Sequence, residues 1–169
     1  MSKQRPEKDE LLQLVKEHER IIFKICNSYC SNRDDRADLA QEIMYQLLKS
    51  YERYNATYKF STWMYRIALN VAISFYRKTK AGKQVISLVE DHGEVEDEEN
   101  ESAILEKNIH LLEQFISELK ELDKALMILY LDEKSYREIG EILGITETNV
   151  ATKISRIKEK LKQHFLKLT

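Results

Sequence analysis

Proline occurs once and glycine four times in 169 residues. A turn-rich all-β fold draws on both at its turns, so that class is set aside. Leu, Ile, Lys, Glu and Gln dominate instead and favour helices. No apolar run approaches the ~20 residues of a membrane span. The first ten residues, MSKQRPEKDE, hold no apolar signal core, which points to the cytoplasm. The chain has two cysteines, Cys26 and Cys30, spaced for one helix face. A bridge between them would pin nothing distant, and cytosolic thiols are normally reduced. A structural metal needs about four ligands, and the nearest histidine is His18. Two half-buried thiols, with no metal and no cofactor, are the expectation.

The net charge of −2 hides a strong segregation. Residues 1–80 hold 15 basic and 10 acidic side chains, 81–110 hold 2 and 9, and 145–169 hold 6 and 2. Basic segments flanking an acidic one suit a polyanionic partner. The acidic stretch 83–103 combines little periodic apolar content with a block of acids and reads as a flexible linker. It divides the chain into residues 1–80, an acidic linker 81–103, and residues 104–169. The linker's charge is also suited to mimic nucleic acid on a basic surface. Deleting residues 94–101 and finding DNA affinity unchanged would remove that idea.

Apolar residues recurring at three and four predict helices throughout. The first covers about 10–31. The second runs to about Tyr54 and is capped by Asp34 or Asp35, with Leu39, Ile43, Leu47 and Tyr51 on one face. A third, about 61–80, carries Met64, Ile67, Ala68, Val71 and Phe75. These three make a small bundle. Further helices cover 104–119, a segment capped by Asp123, about 135–143, and about 147–166. The run at 84–89 is the one short strand signal. The fold class is all-α, in two small helical domains joined by the acidic linker.

The segment SYREIGEILGITETNVATKISRIKEKL has the mechanics of a helix-turn-helix. Ser135 and Glu138 form a capping-box pattern, and Gly144 suits a helix C-terminus. Ile139, Leu143, Ile145, Val150 and Ile154 pin the two helices, and Gly140 permits their close approach. The N-terminal end of the second helix reaches base edges in a major groove, while cations suit phosphates or guanine. The second helix projects Thr146, Glu147, Thr148, Asn149, Ala151, Thr152, Lys153, Ser155 and Arg156, with Lys158 as a further cation. The bland alternative is an ordinary helical hairpin.

Residues 54–80 interleave Tyr54, Tyr58, Phe60, Trp63, Tyr65, Phe75 and Tyr76 with Lys59, Arg66, Arg77, Lys78 and Lys80. Rings stack on unpaired bases and cations follow the backbone, which is what single-stranded DNA binding requires. Asn70 adds an amide for a base edge. Phe75 and Met64 read better as core.

DLAQEIMYQLLKSY followed by FSTWMYRIALNVAISFYRK resembles region 2 of bacterial sigma factors, and SYREIGEILGITETNVATKISRIKEKLK resembles their region 4. Two such regions without a middle domain resemble the extracytoplasmic-function class, group IV of the sigma-70 family. The resemblance implies a subunit that binds core RNA polymerase and directs it to promoters. It assigns Asp38, Gln41, Glu42 and Gln46 to the clamp helices of the largest polymerase subunit. Phe60, Ser61, Thr62, Trp63, Arg66, Asn70, Ser74, Arg77 and Lys78 fall to the minus-ten element, both duplex and non-template single strand, with a base flipped from that strand. Region 4 falls to the minus-thirty-five element, with Arg137, Thr148, Asn149, Thr152, Lys153, Ser155, Arg156 and Lys158 as the implied contacts. Ala151 and Ser155 depart from the basic and aromatic or histidine residues of many relatives. The resemblance also implies an anti-sigma factor as a partner.

Two other functional classes fit the sequence less completely. A dimeric helix-turn-helix regulator not bound to polymerase accounts for the C-terminal half but leaves residues 38–51 and the aromatic-basic helix without a role. An enzyme lacks a site: Asp34 and Asp35 sit in a predicted cap, Glu98 and Glu99 in the linker, and His18, His92, His110 and His164 do not cluster in sequence. No glycine-rich phosphate loop occurs, and neither a membrane nor a small-molecule substrate is implied.

Overall fold

His18 interrupts the helix expected over 10–31. In the computed structural model, which describes residues 8–54, 56–82 and 101–168, α1 spans Lys8–Glu17 and α2 spans Glu19–Tyr29. His18 lies between them at φ −112° and ψ 19°. Its Nδ1 donates to the Leu14 carbonyl at 2.9 Å, and a side chain entering the backbone ladder in this way bends a helix. α3 covers Arg33–Ser50 and is capped by Asn32, whose side chain accepts from the Asp35 N–H at 2.8 Å. Asp34 and Asp35, expected as caps, instead occupy the first turn, where their charge complements the helix dipole. A 3₁₀ turn, Tyr51–Arg53, ends this segment before Tyr54.

α4 spans Phe60–Gly82. Its fully buried line is Met64, Tyr65, Ala68, Leu69 and Ala72, whereas Ile67, Val71 and Phe75 are only half-buried. The expected stripe is thus rotated, because α4 is covered from two sides: by α2 and α3, and by helices of the C-terminal half.

That half contains α5 (Glu101–Glu118), α6 (Glu121–Leu131), α7 (Tyr136–Leu143) and α8 (Glu147–Lys167). α6 starts two residues before Asp123, with Lys120 at the N-cap and no side-chain cap. Six consecutive residues of α6, Lys124 to Leu129, are buried. A helix covered on all sides sits in the middle of a structure, and α6 packs against α2, α4, α5, α7 and α8.

Leu39, Ile43, Leu47, Met64 and Ala68 centre the N-terminal bundle, and Leu126, Leu129, Ile139, Val150 and Ile154 centre the C-terminal one. Both groups belong to one continuous buried cluster. The two expected domains therefore share a core in this conformation. Cys26 and Cys30 are fully buried and free, not half-exposed. α2 is enclosed by α3, α4 and α6, and burial pushes the thiols up to about 11 and about 12 respectively. No strand occurs among the described residues. The strand signal at 84–89 and most of the acidic stretch, including 94–100, lie outside them.

Candidate nucleic-acid and polymerase interface

Local backbone rules build the helix-turn-helix. The Ser135 hydroxyl accepts from the Glu138 N–H at 3.1 Å, and the Glu138 carboxylate accepts from the Ser135 N–H at 3.0 Å. That backbone bond is the leading reason the Glu138 carboxyl is held below its usual range. Gly144 takes the left-handed conformation, φ 70°, which costs glycine little. Its N–H and that of Ile145 both reach the Gly140 carbonyl, at 2.9 and 3.1 Å. Thr146 then caps α8, accepting from the Asn149 N–H at 3.1 Å. A Cβ on Gly140 would stand 2.7 Å from the Ile145 carbonyl oxygen, so glycine is what lets the turn lie this close to α7.

α8 buries Val150, Ile154 and Ile157 and exposes Thr148, Asn149, Thr152, Ser155 and Arg156 on its opposite side. Lys153 is half-buried. The Thr152 hydroxyl donates back to the Thr148 carbonyl at 3.0 Å. Arg137 leans toward Glu141 at 3.5 Å. Lys158 stands 4.4 Å above the Tyr130 ring centroid, and a hydrogen bond to that tyrosine raises its pKa. The row on α8 therefore faces solvent, while Arg137 and Lys158 already have intramolecular partners.

In the N-terminal half the structure brings together two sets of residues that the sequence kept separate. Asp38, Glu42 and Gln46 of α3 and Asn70, Ser74 and Lys78 of α4 line one groove of about 600 Å³. Gln46 donates to Glu42 at 3.2 Å along its wall. Gln41 and Arg66 are exposed and Ser61 is half-buried. Thr62 does not face solvent, being only 7% exposed. Phe60 and Trp63, 5.4 Å apart, join Tyr51 and Tyr54 in a half-buried aromatic cluster. Tyr65, expected among the DNA-facing rings, is completely buried.

Sequence reasoning missed a second, apolar groove of about 690 Å³ on the other flank of α3, lined by Leu12, Ile22, Phe23, Ala40 and Met44. Phe23 is 69% exposed there. The signal in the sequence was Phe23 itself, off the apolar stripe of its helix. Among the described residues, no group of three or more His, Cys, Asp or Glu is placed to hold a metal. No described helix is long and apolar enough to cross a membrane.

Comparison with known proteins agrees with this geometry. The Sigma-70 region 2 family matches residues 14–82, and the Sigma-70, region 4 family matches residues 109–161. The ECF RNA polymerase sigma factor SigW of Bacillus subtilis is 29% identical over 93% of this chain and 89% of its own. The RNA polymerase sigma factor SigV of the same organism is 27% identical over 92% and 91%. The sigma factor RpoE of Bartonella quintana, solved with the anti-sigma factor NepR, shares the fold at TM-score 0.69 and 16% identity, over 94% of this chain and 98% of that one. CnrH, solved with the cytosolic domain of CnrY, gives 0.65 at 18% identity, over 93% and 88%. With two family regions in order on one all-helical chain, and full-length relatives of the same class, the protein belongs to the extracytoplasmic-function class of the sigma-70 family.

Proposed function

We propose that this chain is a non-catalytic specificity subunit that binds core RNA polymerase and directs promoter-specific initiation, with the labour divided by helix. Residues 1–80 bind polymerase and open the minus-ten element, 81–103 connect, and 104–169 read the minus-thirty-five element. One observation supports this reading above the others: a capped helix-turn-helix with an exposed polar row lies on the same chain as an α3–α4 groove joining acidic and amide side chains to one cation, Lys78.

Asp38, Gln41, Glu42 and Gln46 are the polymerase contacts in this reading. A specific interface also needs an apolar centre inside its polar rim, and the groove beside Phe23 and Met44 supplies one. Arg66, Asn70, Ser74, Arg77 and Lys78 contact the minus-ten strand, with Phe60 and Trp63 as the nearest stacking rings. Thr148, Asn149, Thr152, Ser155 and Arg156 lead the minus-thirty-five contacts, and Lys153, Arg137 and Lys158 flank them. An inhibitory anti-sigma partner, of the class solved with the Bartonella protein, would compete for the polymerase-binding surfaces. The site of action is the cytoplasm.

Run-off transcription with core polymerase on a random-promoter library tests the function. The expected result is enrichment of two spaced sequence blocks, dependent on added chain. Enrichment of palindromes bound without polymerase would overturn it.

A further inference from the structure

We propose that two copies of this chain associate in solution, each laying the bare first turns of its α5 on the C-terminal end of the other's α8. On α5, Leu105, Ile109, Leu112, Ile116 and Leu119 alternate by four and three, the spacing of a seam that pairs with another helix. One end of that seam is already covered. α5 packs on α2 and α6, Leu119 is buried, and Leu112 and Ile116 are half-buried. The other end runs out of the core. Leu105 is 60% exposed and Ile109 47%, with Ile104 beside them at 55%. A contiguous apolar seam that ends in solvent marks an interaction site, as singly scattered surface leucines do not.

α8 repeats the pattern at its opposite end. Val150, Ile154, Ile157, Leu161, His164 and Leu168 also alternate by four and three. The first three are buried, Leu161 and His164 are half-buried, and Leu168 is 55% exposed. The Phe115 and His164 rings stand 5.6 Å apart, so the two helices meet there. Ile109 and Leu168 each lie within about two turns of that meeting point along their own helices.

Charge selects the occupant. α5 holds Glu101, Glu106, Glu113 and Glu118 against Lys107, a net −3, so two α5 helices laid together would repel. Residues 90–100, just ahead of α5, hold seven acids and no lysine or arginine, which is the same sign again. The last turns of α8 hold Lys160, Lys162 and Lys167 against Glu159, a net +2, beside the apolar Leu161 and Leu168. An acidic seam on one copy therefore meets a basic one on the other. A two-fold axis satisfies both contacts at once, the isologous arrangement of a closed dimer. Thr148, Asn149, Thr152, Ser155 and Arg156 lie in the first half of α8, outside the turns that the second copy would cover.

Sedimentation velocity of the wild-type full chain, with neither polymerase nor DNA, tests the pairing. A monomer–dimer equilibrium should appear between about 1 and 100 µM, the range open to a small interface. It should shift toward monomer in about 1 M salt as the charges are screened. Leu105→Asp with Ile109→Asp places charge on the exposed end of the seam and should abolish the dimer, while the circular-dichroism melt stays near wild type. Reversing α5 alone (Glu106→Lys with Glu113→Lys) should weaken the dimer by about 10-fold. Adding Lys160→Glu and Lys162→Glu to that chain should restore it. The proposal is overturned if the wild type stays monomeric throughout, if the dimer survives the aspartates, or if reversal of α5 alone strengthens it, which would mean that α5 pairs with α5. A monomeric wild type whose aspartate variant fails to join core polymerase would give the seam to polymerase and overturn it as well. The dimer is measured without a promoter, so its failure and a failure of the sigma reading are separate results.

Discussion

Replacing Gly140 by alanine is a sharp test of how the helix-turn-helix is held. The new Cβ would meet the Ile145 carbonyl oxygen at 2.7 Å, with the Glu147 nitrogen at 3.6 Å and the Thr146 carbonyl carbon at 3.7 Å. All three are backbone atoms, so no side-chain rotation relieves the contact and the turn itself must retreat. Overpacking of this kind costs about 1–3 kcal/mol, offset by up to about 1 kcal/mol from alanine's better helix propensity. A net loss of about 1 kcal/mol lowers the melting temperature by ~2–4 °C in a chain of this size. The turn also carries the Thr146 cap, so displacing it tilts α8 and weakens binding to the minus-thirty-five duplex more than binding to the minus-ten strand. Thermal unfolding with two DNA titrations reads both effects. Gly144→Ala is the comparison: its Cβ meets nothing within 4 Å, but φ is +70°, so it loses stability through backbone strain instead of collision. A Gly140→Ala protein that melts at or above the wild-type temperature and binds the duplex equally well would refute the close-approach argument.

Other expectations follow from single side chains. Arg156→Ala should weaken promoter-duplex binding and reduce the salt dependence by about one phosphate contact; unchanged affinity across a salt series would remove Arg156 from the interface. Cys26 and Cys30, buried and pushed up to about 11 and about 12, should resist alkylation at pH 8 until the chain unfolds. Rapid labelling of the native protein would contradict their burial. Asp132 faces Lys24, Tyr65 and Lys134. Burial raises its pKa, but the hydrogen bonds from Lys24 and Tyr65 outweigh that and hold its carboxyl below the usual aspartate range. The depressed pKa means that the carboxylate stabilises the fold fully above the usual aspartate range, and that this contribution fades as pH falls through the lowered value. Acid unfolding followed by circular dichroism should show a component in wild type that is missing from Asp132→Asn, and identical profiles for the two proteins would refute it.

Local chemistry was the legible part of this protein. The Ser135–Glu138 capping box, the Gly144 C-terminus, the Thr146 cap and the pins at Val150 and Ile154 depend on neighbours within a few residues, and each is found where the spacing puts it. The break at His18 and the cap at Asn32 were harder to read, because several polar side chains compete for the same backbone groups and small differences choose among them. The exposed face of α8 was legible as well, because amphipathic spacing alone decides which side chains of one helix stay in solvent.

The burial of Tyr65 and Lys124 was not legible. A tyrosine among cations looks like a base-stacking ring, and a lysine in an apolar helix looks like a solvated cation. What decided otherwise was the seating of α6 against both α2 and α4, which sets the Tyr65 hydroxyl on Asp132 and the Lys124 ammonium over Tyr29 and Tyr76. The sequence by itself determined the all-helical class, the order of the helices and the helix-turn-helix with its caps at Ser135 and Thr146. The tertiary structure alone decided that the two halves share a core, and that Tyr65, Thr62 and Lys124 lie inside it. Capping and periodicity act over three or four residues, whereas Lys24–Asp132 and Tyr65–Asp132 join positions 108 and 67 residues apart.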